Sequence, residues 1–203
     1  MTAHFKRALP VLLYWLALSH PLSAVAAPAD CPTAATAHDG FIVERSHQTT
    51  EVVPAGDRLV RTIYRTSTGE TVLETTAFEG LFEVERIDRG RRTVFHSTTN
   101  FAAFFPPKVG RDMAASFESG DAPQVTKTKV FLRVVRTDNL FIESCKYGVF
   151  AIDRRIGQGG VAPVLVETDY YAPDLKLIIA KESKNPDGTT FLAKFDKIYA
   201  EKH

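Results

Sequence analysis

Residues 140–182 decide the fold, and they read LFIESCKYGVFAIDRRI, then GQGG, then VAPVLVETDYYAPDLKLIIAKE. Apolar and polar residues alternate along this stretch with a period of two, which is typical of β-strands that bury one face. The glycines of GQGG suit a tight reversal, and Pro173 separates a strand at 164–171 from another at 175–183. Three consecutive strands with short connections predict an antiparallel meander.

The same pattern continues through the rest of the chain. Residues 41–98 contain five short strands with thin apolar faces, and residues 125–137 form a long strand that ends at an Asp-Asn turn at 138–139. A last hairpin follows the Pro-Asp-Gly turn at 186–188, and helical periodicity is almost absent. About ten strands in sequence predict an all-β fold: a single curved antiparallel meander sheet, half-barrel-like, over residues 40–203.

Residues 1–26 have the features of a secretory signal peptide. Lys6 and Arg7 precede an apolar run at 11–18, a proline interrupts the run, and Ala24-Val25-Ala26 offers small residues before a cleavage point. The alternative is an uncleaved membrane anchor, but eight apolar residues are far fewer than the roughly 20 that a spanning helix needs. The leader predicts a periplasmic or secreted protein that keeps no transmembrane segment after cleavage.

The charge of the predicted mature chain restricts its partners. Cleavage after Ala26 leaves 177 of the 203 residues, which is enough for one domain with a core. It removes two of the 25 basic residues and none of the 24 acidic ones, so the net charge becomes −1. A nucleic-acid binder usually carries a clear basic excess, so we expect no nucleic acid as a partner.

Familiar catalytic and cofactor-binding motifs are absent from the sequence. It has no Gly-x-Ser-x-Gly elbow, no His-Glu-x-x-His helix, no phosphate-binding Gly-x-x-x-x-Gly-Lys loop and no Cys-x-x-Cys pair. His38, His47, His96 and His203 are scattered without the spacing of metal ligands. The sequence therefore predicts no cofactor and no metal, and it points to no catalytic residue by motif.

Two cysteines, Cys31 and Cys145, occur in the predicted mature chain. In an oxidising compartment they are expected to form a disulfide. The bridge would pin the extended lead-in at 27–39, which is rich in Ala, Pro and Thr, near the central meander. The alternative is a buried, apolar role for Cys145 and a free thiol at Cys31 in a loose tail.

The connection at residues 101–120 differs from the strands around it because it carries four phenylalanines. These are the predicted ligand-binding residues: Phe101, Phe104, Phe105 and Phe117. A short helix is expected at 100–105, ended by the two prolines that follow. Two interpretations are open. In one, the rings cap the sheet as part of its core; in the other, they form the rim of a pocket for an apolar ligand.

Glu167 and Asp169 form a candidate acidic pair. They lie two residues apart on a strand, so both carboxylates point to one face of the sheet. Two adjacent like charges raise the pKa of one carboxyl group, which suits an acid/base pair. The alternative is a solvated strip of charge that pairs with Lys181 or Arg154 on the neighbouring strands.

The C-terminal part of the chain resembles a family of exported bacterial β-sheet domains of unknown function. The resemblance rests on Tyr171-Ala172-Pro173-Asp174-Leu175, on Ala180-Lys181-Glu182 and on a last strand that ends near Ile198. Upstream, Pro106-Pro107-Lys108-Val109-Gly110 is similar to the loop that precedes the second half of those domains. The resemblance covers residues 106–199. It implies an antiparallel periplasmic sheet and brings no catalytic residues to transfer.

Three functions are consistent with these features. The first is a non-enzymatic periplasmic domain that binds an apolar small molecule, an envelope-derived ligand or an envelope protein. The second is a periplasmic hydrolase or isomerase with an unrecognised acidic site around Glu167, Asp169 and Tyr171. The third is a structural module of the envelope. The export signal, the all-β pattern, the phenylalanines and the absent catalytic motifs favour the first.

The leader predicts the mass of the exported protein. Cleavage after Ala26 should give an exported protein whose mass corresponds to residues 27–203, because the small residues at 24 and 26 fit the cleavage site. Intact-mass spectrometry of the exported protein measures this. A mass that still contains residues 1–26 would contradict the prediction.

Overall fold

The structure is a computed structural model that describes residues 31–120, 124–158, 161–162, 164–185 and 187–200. The predicted signal peptide lies outside the described residues. The described chain forms thirteen strands and two short 3₁₀ helices, at Ala37–Asp39 and Phe101–Phe104, and it contains no α-helix. The predicted all-β antiparallel class is therefore confirmed. The strands are more numerous than expected, and they form two sheets where the sequence suggested one.

The first sheet has seven antiparallel strands. They are β1 (Phe41–Arg45), β2 (Gln48–Pro54), β3 (Leu59–Arg65), β4 (Thr71–Phe78), β5 (Phe82–Asp88), β6 (Arg91–Val94) and β13 (Lys197–Ala200). Their order in the sheet is β13-β1-β2-β3-β4-β5-β6. Strands β1 to β6 form a meander through hairpins, and the last strand of the chain adds to the open edge of β1, where Phe41 pairs with Ala200.

The second sheet has six antiparallel strands and contains the stretch at 140–182. They are β7 (Asp112–Ser119), β8 (Thr126–Ile142), β9 (Cys145–Gln158), β10 (Val164–Ala172), β11 (Leu177–Lys184) and β12 (Thr190–Lys194). Their order is β12-β11-β10-β9-β8-β7, so this sheet is a pure meander. Pro173 lies in the turn between β10 and β11, as the sequence predicted.

Two details of the central hairpin differ from the sequence expectation. Strand β8 runs through the predicted Asp-Asn turn at 138–139, and the chain reverses instead at Glu143 and Ser144. Glu143 adopts a positive φ of 50°, so a residue without the usual Asn or Gly signal makes the turn. Gly157, assigned to the next reversal, is still in β9 and pairs with Lys129.

The second sheet buries opposite faces at its two ends. Neighbouring residues in a strand point to opposite faces, and Ala151 belongs to one core cluster while Ile152 belongs to the other. A bulge in β8 between Val134 and Arg136 accompanies the change of buried face. The first core lies between the two sheets, and the second lies beneath the connection at 101–117. Each long strand therefore contributes to two cores.

The two sheets are joined at both of their sides. On one side the chain passes directly from β12 to β13, where the Phe195 amide donates to the Ile179 carbonyl and the Asp196 amide donates to the Glu44 carbonyl. On the other side His96 exchanges two backbone hydrogen bonds with Glu118 of β7, each 2.8 Å long. The outer edges of both sheets are thus partly covered.

A polar junction around Glu79 links turns from the two sheets. The Glu79 carboxylate accepts a hydrogen bond from Arg58 Nε at 2.5 Å and lies 3.1 Å from Lys176 Nζ. Its backbone amide donates to the Arg58 carbonyl at 2.6 Å, and its backbone carbonyl accepts from the Tyr171 hydroxyl at 2.8 Å. Burial, followed by the nearby Glu79 charge, raises the pKa of Tyr171, so the hydroxyl stays a donor.

The structure places the sulfurs of Cys31 and Cys145 at disulfide distance, 1.96 Å apart, with their Cα atoms 5.6 Å apart. The crosslink attaches the lead-in at 31–39 to the start of β9. The cysteines are separated by 114 positions. In the loop-entropy description, closure of a loop near 100 residues destabilises the unfolded state by roughly 4–5 kcal/mol, and usually by less in practice.

The junction predicts an unequal cost for two glycine substitutions. A Cβ at Gly80, where φ is +66°, would lie 1.6 Å from the Lys176 carbonyl oxygen, while a Cβ at Gly69, where φ is +82°, meets nothing within 4 Å. Gly69→Ala should cost only backbone strain of about 1–2 kcal/mol. Gly80→Ala should cost more than about 4 kcal/mol because backbone must move. Urea denaturation of both variants measures the difference, and equal losses would contradict the packing of the two turns.

Candidate functional site

The structure brings the four predicted phenylalanines together in the second core. The Phe101 ring stacks on Phe82 with centroids 4.5 Å apart and also contacts Phe117, while Phe104 and Phe105 meet edge to face at 5.6 Å. Phe104 is 0% exposed. The predicted short helix is present as a 3₁₀ turn, and the Asn100 side chain accepts a hydrogen bond from the Ala102 amide.

This placement agrees with the interpretation of the rings as a cap on the sheet. The cluster covers apolar residues of the second sheet, and Phe82, from the β4–β5 side of the first sheet, joins it. Phe101 and Phe105 remain half-buried. Arg58 lies over the Phe105 ring, with its guanidinium carbon 5.5 Å from the centroid, and joins the aromatic cluster to the Glu79 junction. A ligand-binding role for the four phenylalanines stays a prediction.

The predicted acidic pair forms a compact network of alternating charges. Asp169 Oδ2 accepts from Arg154 at 2.6 Å and 2.7 Å, and its other oxygen lies 3.1 Å from Lys181 Nζ. That second contact is an ion pair without hydrogen-bond geometry. Lys181 Nζ also donates to Glu167, and Arg154 Nε lies 3.9 Å from the same carboxylate. Both carboxylates therefore face two shared cations.

Strand register explains this network. Glu167 is directly opposite Arg154 on β9, and Asp169 is directly opposite Lys181 on β11. The side chain of Asp169 is fully buried, so only part of the predicted strip faces solvent. The Asp169 carboxylate is buried and faces Arg154 and Lys181, so a substrate proton cannot reach it directly. The network fits a structural role, and a catalytic role for Glu167 and Asp169 stays a prediction.

A cavity of about 240 Å³ lies where the lead-in packs against both sheets. We call it the lead-in cavity. Most of its lining is apolar and comes from the lead-in, from β1 to β3 and from the β10–β11 turn; it includes Ala37, Phe41, Val52, Leu59, Val60 and Leu175. Ala37 is half-buried and packs against the first core. The wall on that side belongs to the segment that the Cys31–Cys145 bridge attaches.

Three polar residues mark the place where the lead-in cavity meets solvent. His38 and Asp174 are exposed, and Lys176 is half-buried. Lys176 Nζ lies 3.1 Å from the Glu79 carboxylate, and His38 Nε2 lies 3.1 Å from the Asp39 carboxylate. Each of these two side chains therefore already has one acidic neighbour. The cavity is an apolar space with a few charged groups at its rim, which is the usual composition of a small-molecule site.

The lead-in cavity could not be read from strand patterns. Its walls come from separate parts of the sequence, so no local motif marks it. The available signal was the predicted bridge between Cys31 and Cys145, which holds the lead-in near β9. In the described residues, no group of three or more His, Cys, Asp or Glu side chains is arranged to hold a metal ion. Among the same residues, no helix has the length and apolar character needed to cross a bilayer.

Comparison with solved structures gives a distant likeness in architecture. No family model matches the chain, and no curated protein sequence matches it. A solved structure of the hypothetical lipoprotein YmcC from Escherichia coli (K12) is similar over 81% of this chain and 88% of that chain. The sequences are 5% identical and the TM-score is 0.47. This likeness is too distant to transfer a function or a location.

The charge network predicts a contrast between two neighbouring arginines. Arg154→Met should destabilise the fold by about 3–5 kcal/mol, because it leaves the buried Asp169 carboxylate with only Lys181. Arg155→Met should change stability by less than about 0.5 kcal/mol, because Arg155 is exposed on the other face. Chemical denaturation of both variants checks this. Two equally small effects would show that the network does not stabilise the sheet.

Proposed function

We propose that this protein is an exported, non-enzymatic binding domain whose lead-in cavity takes a small apolar ligand. The observation that carries the proposal is the cavity itself: about 240 Å³ of space with a mainly apolar lining, beside the segment that the disulfide attaches. Apolar space that is left open within a core costs stability. A ligand that fills it recovers contacts that the protein alone does not make.

The size of the cavity restricts the ligand. Typical small-molecule pockets have volumes of about 300–1,000 Å³, so a cavity of about 240 Å³ suits one ring or a short acyl chain. Lys176 at the rim has N–H donors beyond the one that faces Glu79, so it favours a ligand with a carboxylate or another anionic end. A short-chain fatty acid has both features, and an origin in the bacterial envelope agrees with the predicted export signal.

The acidic site offers weaker support for an enzyme. Glu167 and Asp169 contact Arg154 and Lys181 instead of facing an open cleft, and neither lines the lead-in cavity. A general base must reach the proton that it removes. The hydrolase or isomerase hypothesis therefore has less structural basis than binding.

The experiment compares two phenylalanine substitutions in the lead-in. Ala37→Phe places a ring in the wall of the cavity, while Ala35→Phe places the same ring on an exposed position outside it. Straight-chain carboxylic acids of increasing length are titrated into the exported protein by calorimetry. Affinity should rise about fourfold per methylene, which corresponds to ~0.8 kcal/mol per buried group, and then level off when the cavity is full.

The variants decide the location of binding. Ala37→Phe should weaken binding of the best chain length by at least about tenfold, and Ala35→Phe should leave it unchanged. If Ala37→Phe lowers stability, reduction of Cys31–Cys145 gives a second test, because release of the lead-in should also weaken binding. Absence of saturable binding for every chain length, or equal effects of the two substitutions, would refute the proposal.

A further inference from the structure

A second concave surface lies on the exposed face of the second sheet, away from the lead-in cavity. It is a groove of about 480 Å³ across β7, β8 and β9, and we call it the Phe131 groove. Strand register builds it from two adjacent rows. In one row Asp112 is opposite Arg133, which is opposite Asp153. In the other, Phe131 lies between Ala114 and Arg155.

Phe131 is 36% exposed at the centre of this groove. Its neighbours on β8, Val130 and Leu132, point to the opposite face and are buried in the second core. Ala114, across β7, has a small side chain and leaves one side of the ring open. Phenylalanine has no polar handle, so an exposed ring on a sheet face offers an apolar platform to a partner.

Positive charge surrounds this platform. Arg155 lies directly across from Phe131, and Lys129 and Arg133 lie two residues away on the same strand and face. Within the described parts of the chain, neither Arg133 nor Arg155 has a side-chain hydrogen bond or an ion pair. Their guanidinium groups can therefore bind an added carboxylate through two parallel hydrogen bonds.

Two carboxylates complete the groove and narrow the choice of ligand. Asp112 and Asp153 flank Arg133 in the register, and Asp153 accepts a hydrogen bond from the Thr168 hydroxyl at 2.9 Å. Ionised carboxylates only accept hydrogen bonds, so they suit a ligand rich in hydroxyl groups. A polyphosphate chain has no hydroxyl donors for these two carboxylates, and the predicted mature chain carries no basic excess to attract it.

We propose that the Phe131 groove binds an acidic oligosaccharide, meaning a chain of sugar rings that bear carboxylates. The apolar face of one ring packs on Phe131, and its hydroxyls donate to Asp112 and Asp153. The ring carboxylate accepts hydrogen bonds from Arg155, which lies directly across from Phe131, whereas Arg133 is flanked by two carboxylates. The groove is open and crosses three strands, so an extended chain fits it better than a compact molecule does. This site is independent of the lead-in cavity and of the ligand assigned there.

The test measures binding of defined oligosaccharides to the exported protein by calorimetry. The probes are an oligogalacturonate, its neutral methyl ester and a neutral malto-oligosaccharide of equal length, with a single-stranded oligonucleotide as the polyphosphate probe. The oligogalacturonate should bind at least about tenfold more tightly than each of the others. Comparable binding of the neutral sugars, tighter binding of the oligonucleotide, or no binding of the oligogalacturonate would overturn the proposal.

Matched variants locate the site. Phe131→Ala should weaken oligogalacturonate binding by at least about tenfold, while Phe141→Ala, which removes a ring that is 54% exposed elsewhere on β8, should leave it unchanged. Arg155→Met should remove most of the preference for the acidic over the neutral sugar, and Arg61→Met on β3 should not. Thermal unfolding confirms that each variant is folded. Equal effects of the two phenylalanine substitutions, or an unchanged acid preference in Arg155→Met, would overturn the proposal.

Discussion

The contacts of Glu79 fix how the two sheets meet. Core packing is non-directional and tolerates sliding, but the four contacts that Glu79 makes with three residues each require a specific position. Three residues of this junction, Arg58, Glu79 and Lys176, adopt positive φ values of 61°, 50° and 48°. Such conformations cost roughly 1–2 kcal/mol for a residue with a side chain. The ion pairs and the hydrogen bond from Tyr171 offset that cost, and the turns from both sheets are held in register.

Both candidate sites follow from the relation between the sheets. The β10–β11 turn that carries Lys176 also forms one wall of the lead-in cavity, so the junction positions that wall. At the other end of β8 and β9, the first sheet no longer covers the face that continues from Ala151 to Asp153 and Arg155. Because the β8 bulge shifts burial to the opposite face, this end of the sheet is left open around Phe131.

The sequence was sufficient for the fold class, the C-terminal meander and the pairing of Cys31 with Cys145, because each depends on a local pattern or on a limited choice of partners. The sequence did not predict that the strands form two sheets. Alternation shows that a strand has a buried face, but does not show which edge it pairs with. The sequence did not predict the reversal at Glu143, because Asp138-Asn139 has the stronger turn signal. In the structure β8 continues through these two residues, because β9 pairs with it as far as Ile142.

The candidate sites also differ in how far short-range sequence spacing predicts them. The clustering of the four phenylalanines and the shared face of Glu167 and Asp169 follow from short-range spacing, and the structure places them so. The burial of Asp169 depends on cations from two other strands, which only the register brings close. The lead-in cavity and the Phe131 groove each combine residues from at least three elements, so no single stretch of sequence contains either of them.

The pairing of β1 with β13 has a consequence for the timing of folding. Phe41 in β1 pairs with Ala200 in β13. One edge of the first strand therefore stays unpaired until nearly the whole chain has emerged. Contacts between such distant residues form slowly, because the loop between them must close first. If the chain is exported unfolded, as we propose, this late pairing keeps the early segments from completing the first sheet before translocation, and the last strand completes it afterwards.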